Sequence, residues 1–141
     1  MNNHWGTNYR AYQEGLTRFR FILRPRAGKH APAEATRFAT GFTQPLLVSR
    51  ETPKTWPAKP AFRLSSTDVV VTGLKPADDG KAWIIRLFGA SEKAQSVQLR
   101  WGNKRPTALY LSDTSEKRGA KAGRSIKVPG YGVTTVRAEF K

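Results

Sequence analysis

The chain has 141 residues, of which 25 are Lys or Arg and only 10 are Asp or Glu, giving a net charge of +15. It has no cysteine, which excludes disulfides and thiolate metal sites and leaves the redox compartment unread. A hydrophobic content of 38% supports one packed domain, long enough to bury about two-thirds of its unfolded surface.

Residues 1–13 are polar, with Trp5, Tyr9 and Tyr12 at no clear period, and are expected to form an irregular leader to a single domain over 14–141. Residues 16–23, LTRFRFIL, alternate Phe19, Phe21 and Leu23 with Arg18 and Arg20. That period of two predicts a strand with one buried face, ended by Pro25 and Gly28. Residues 31–40 form the one expected helix. Pro32 suits its first turn, Glu34 suits the positive end of its dipole, and Gly41 is placed to cap it. Phe38 and Phe42, four apart, are expected to anchor it to a sheet. Pro45 to Val48 read as a brief strand, whereas 51–60, ETPKTWPAKP, carries three prolines and reads as an exposed loop.

Further strands are expected at 61–65, 69–75, 82–89, 94–101, 107–112, 124–128 and 133–140. In 94–101, Val97, Leu99 and Trp101 alternate with Ser96, Gln98 and Arg100. In 133–140, Val136, Ala138 and Phe140 alternate with Thr135, Arg137 and Glu139. Short strands with turn signals at regular spacing predict an all-β fold, an antiparallel sandwich of about seven to nine strands with one short helix.

Within this series, 68–91 is the most distinctive stretch. Val69, Val70, Val71 and Thr72 lead to Lys75-Pro76, then Asp78-Asp79-Gly80 turns the chain, and Trp83, Ile84, Ile85, Leu87 and Phe88 return. This hairpin resembles VVVTALKPAEDG…IIRLYEASG in the C-terminal β-sandwich of family 38 glycoside hydrolases, the α-mannosidases. EGLTRFRFIL (14–23), the turn at 24–28, Gln44-Pro45-Leu46-Leu47 and the tail 125–140 are similar to that family's landmarks in the same order. The chain departs from the pattern at Arg24 and Arg26, where an aromatic and a histidine are expected, and at Gly89, where an acidic or amide residue is expected.

The resemblance implies an accessory domain, because family 38 enzymes carry zinc and the carboxylate pair on a separate N-terminal domain. It also implies a partner, a glycosidase catalytic domain in the same or another chain. The residues independently point away from catalysis, and no cofactor is expected. Zinc needs three or four ligands, and only His4 and His30 are present, without a partner at helical or hairpin spacing. A glycosidase needs two carboxyl groups about 5–10 Å apart. Asp78 and Asp79 are adjacent on a turn and read as Asx-type caps. VPGYG (128–132) lacks the Lys-Ser/Thr ending of a phosphate loop, and no serine sits in a Gly-x-Ser-x-Gly elbow.

Binding readings remain. Trp56, in its proline-rich loop, is the candidate for stacking on a sugar ring, which would make the chain a carbohydrate-binding module. Trp83 and Trp101 fall at core positions. Arg24, Arg26, Arg86 and the basic loop carrying Lys117, Arg118, Lys121 and Arg124 are candidates for contact with another domain or a polyanion. Nucleic acid is the weaker partner, since the basic residues are spread along the chain. No apolar run approaches the roughly 20 residues of a membrane helix, and the N-terminus lacks signal-peptide order. A cytoplasmic protein without membrane contact is the expectation.

Overall fold

The structure, a computed structural model, describes residues 15–44 and 60–141. The notable hairpin forms as expected. β2 (Val69–Pro76) and β3 (Ala82–Gly89) pair antiparallel, and Ala77 and Gly80 close the turn through a 2.8 Å backbone hydrogen bond. Gly80 takes a positive φ of 70°, which a residue without Cβ adopts at no steric cost. The register slips between Val71 and Gly73, so Thr72 is the extra residue of a bulge.

β3 pairs on its other side with β8 (Val133–Glu139), and β8 with β6 (Ala108–Ser112), giving a four-stranded antiparallel sheet in the order β2-β3-β8-β6. Two ribbons complete the sandwich: β1 (Phe62–Leu64) with β5 (Leu99–Trp101), and β4 (Gln95–Val97) with β7 (Ile126–Val128). Val69, Ile85, Leu87, Val136 and Ala138 of the sheet pack against Val97, Leu99, Ile126 and Val128 of the ribbons. Trp83, Trp101, Phe62 and Phe140 are half-buried against this core. Their rings lie 4.8 Å (Trp83–Phe140), 5.2 Å (Phe62–Trp101) and 5.8 Å (Trp101–Phe140) apart, within the range of favourable aromatic pairs.

Four expectations change. The segment 94–101 is two short strands, because it changes partner at Gln98, whose backbone N–H and carbonyl are both taken by Ser65. The helix α1 (Pro32–Thr43) runs through Gly41 and is capped at Gln44, whose N–H reaches the Thr40 carbonyl. It seats on the sheet through Ala33, against Val70, Phe88 and Ala90, and not through Phe42, which is exposed. The small residue wins because it lets the helix backbone come close to β2. Arg37 adds a hydrogen bond to the Thr67 carbonyl.

The fourth change is the largest. Residues 16–27 form no strand, and Leu16, Phe19, Phe21 and Leu23 are exposed, Phe21 to 78% and Leu23 to 89%. Alternation makes a segment fit for a sheet, but a strand exists only where another edge supplies its hydrogen bonds. Pro45 to Val48 and the loop 51–59 lie outside the described residues.

Candidate functional site

The two faces of the four-stranded sheet separate by the period of two. While Ile85, Leu87, Val136 and Ala138 point into the core, Arg86, Thr135, Arg137 and Glu139 point to the outer face. At one end of that face lies α1. At the other end, the β2–β3 turn and the β6–β7 connection converge on Arg137.

Arg137 is buried, with each of its three guanidinium nitrogens donating a hydrogen bond. Its Nε donates to Glu139 at 2.9 Å, its Nη1 to the Glu116 carbonyl at 3.0 Å, and its Nη2 to Asp79 at 2.5 Å. Arg118 approaches Glu139 from the loop side as a bidentate fork, at 2.6 and 2.7 Å, and its guanidinium lies 5.3 Å from the Tyr110 ring centre. Glu139 therefore bridges two guanidinium groups. The Arg118 hydrogen bonds, and then the one from Arg137, hold its carboxyl below the usual range against the opposing effect of burial. Asp79 is held low as well, first by the Lys81 backbone N–H and then by Arg137.

Glu116 ties this cluster to the hairpin. It sits at φ 60°, a region a non-glycine residue occupies only when its surroundings fix it. Those surroundings are present: its carboxylate pairs with Lys75 Nζ at 2.5 Å and accepts from the Asp78 N–H at 3.0 Å, while its carbonyl accepts from Arg137. Lys75 also pairs with Asp78 at 2.8 Å, and these two acids hold its ammonium above the ordinary lysine range, Asp78 foremost. Asp113, beside them, accepts from the Ser115 hydroxyl and N–H, and both bonds lower its carboxyl.

The cluster borders two clefts. One, of about 460 Å³, is lined by Asp78, Asp79, Lys117, Arg118 and Arg137; the other, of about 240 Å³, by Leu74, Ile84, Arg86 and Thr114, and Glu116 belongs to both. Three sequence candidates, Arg86, Lys117 and Arg118, are thus gathered at one end of the outer face. Lys121 lies beside Tyr110 in an isolated bridge, and Arg124 is exposed. The loop is not a free tip: Ala120 and Ala122 hydrogen-bond to Leu111 and Leu109 at 2.8 Å and cover the β6 edge. Arg24 and Arg26 lie elsewhere, both 3.3 Å from the Glu34 carboxylate at the start of α1. Trp56 lies outside the described residues.

Sequence reasoning placed Arg137, Glu139 and Glu116 on a strand face and in a loop without assigning them a role. A signal was available in Arg137 and Glu139, opposite charges two apart on a strand whose other face is apolar. The Asx reading of Asp79 holds, since its Oδ1 accepts from the Lys81 N–H at 3.0 Å, but its second oxygen reaches across to β8. Gly89 also finds its reason. A Cβ there would collide with the Pro129 carbonyl oxygen, so the chain crossing above leaves no room for the acidic or amide side chain expected.

Among the described residues no three His, Asp or Glu side chains converge as a metal site would require, so they do not fit zinc. The family model "Glycosyl hydrolases family 38 C-terminal beta sandwich domain" matches residues 68–139. No curated protein and no solved structure matches the chain. The match takes in the hairpin, the Arg137 cluster and all four strands of the main sheet, over more than half of the 141 residues. The chain belongs to the family of C-terminal β-sandwich domains of family 38 glycosyl hydrolases.

Proposed function

We propose that this sandwich is the non-catalytic C-terminal domain of an α-mannosidase-like glycoside hydrolase and works by packing against a separate zinc-dependent catalytic domain. The family match carries this reading. The state of the carboxyl groups supports it. A glycosidase acid must hold its proton near neutral pH, which requires a raised pKa. Asp79, Asp113 and Glu139 are all shifted the other way, by hydrogen bonds that favour the anion. Such carboxylates serve as permanent charges that hold loops in place. The Arg137 cluster then has the role of fixing the β2–β3 turn against the β6–β7 connection, so that Arg86 and Lys117 are presented to a neighbour on a rigid rim.

The test pairs the purified chain with a family 38 catalytic region that lacks its own terminal sandwich. The two are expected to co-elute, and an aryl α-mannoside is expected to be hydrolysed by the catalytic region and not by this chain with zinc. Hydrolysis by the chain alone, lost on replacing its own acids, would sink the reading. So would failure of the two to associate.

A further inference from the structure

We propose that Leu16–Leu23 adds as a strand to the open edge of an acidic β-sheet in the partner domain, an inference that rests on the partner-domain reading above. The segment has a strand's alternation and no ladder, and Leu16, Phe19, Phe21, Ile22 and Leu23 are all exposed. Exposed apolar side chains lose their cost when they enter a sheet that also satisfies the N–H and C=O groups of their backbone.

The segment is held ready by its C-terminal end. Arg24 and Arg26 both pair with Glu34, and Arg24 lies 5.3 Å from the Phe38 ring centre. Phe38 in turn meets Phe42 at 4.9 Å, so the apolar surface continues onto α1. The free edge of the four-stranded sheet does not suit the segment. β2 is bulged between Val71 and Gly73 and ends in Lys75 and Pro76, features that blunt an edge against strand addition. A second copy is disfavoured for the same reason, and because two chains of charge +15 repel. Arg18 and Arg20, on the side opposite Phe19 and Phe21, call for acidic side chains across the receiving edge.

The experiment mixes the whole chain with the family 38 catalytic region lacking its terminal sandwich and reads backbone amide exchange residue by residue. Alternate amides of 16–23 are expected to slow at least about tenfold in the complex. Phe19→Asp combined with Phe21→Asp is expected to weaken binding at least about tenfold, with the melting temperature of the free chain unchanged. Added salt weakens the contact through Arg18 and Arg20. A complex in which 16–23 exchanges as in the free chain overturns this inference and leaves the partner reading intact. Protection that instead rises with concentration of the chain alone identifies a second copy and overturns it too. Absence of any complex defeats the partner reading itself, and the docking strand with it.

Discussion

The inner and outer faces of the four-stranded sheet are built from the same strands but held by different physics. On the inner face, Ile85, Leu87 and Val136 are fully buried, and each is worth about 1.5–3 kcal/mol by transfer from water alone. Any apolar side chain of similar volume would serve there. On the outer face, Arg137 is as buried as a core residue, yet it is tolerated only because Glu139, Asp79 and the Glu116 carbonyl meet its donors. Burial of a charge costs more than its pairing returns unless the geometry is complete. The inner face is therefore forgiving in identity and strict in volume, and the outer face is the reverse.

Substitutions can break that contrast in order of expected effect. Leu87→Ala removes a wholly buried side chain from the inner face and is expected to cost about 2–5 kcal/mol in urea unfolding. Gly89→Ala forces a methyl group against the Pro129 carbonyl and is expected to cost about 1–3 kcal/mol, since the obstacle is backbone. Arg137→Met keeps the volume on the outer face but takes a donor from the buried Glu139 carboxylate and from the Glu116 carbonyl, and about 1–3 kcal/mol is the expected loss. Arg118→Met, on a largely exposed side chain, is expected to cost less than Arg137→Met in the same assay, because Glu139 keeps its second partner.

Acid sharpens the contrast without mutation. Glu139 and Asp79 have folded-state carboxyl groups depressed below their unfolded values. Their contribution is fully present above the ordinary carboxylate range, about pH 4, and is lost as pH falls through the depressed values. The melting temperature is expected to drop in that window, and Arg137→Met is expected to flatten the drop. A drop of equal size in Arg137→Met would show that Arg137 does not contribute to the acid sensitivity.

Much of this architecture was legible in the residues. The hairpin, the strand alternation in 133–139 and the buried Val97 and Leu99 follow from a pattern that repeats every second residue, which local sequence encodes in full. Where that pattern misled, the missing information was a partner. Residues 16–23 alternate as well as any strand in the chain and form none, and 94–101 alternates throughout but is divided at Gln98 because its pairing changes from β7 to β1. Gly41 was read as a helix end, but the helix continues through it to Thr43 and is capped at Gln44.

What the sequence determined by itself was which side chains share a face and where the chain must turn, since both depend on neighbours within a few residues. The Arg137 cluster was decided only in the folded molecule. Asp79 and Arg137 are 58 positions apart, and nothing local in either names the other. They meet because β3 pairs with β8 in one register, which carries the β2–β3 turn beside the end of β8. The hydrogen-bonding capacity of a guanidinium group then selects whatever acids that register delivers.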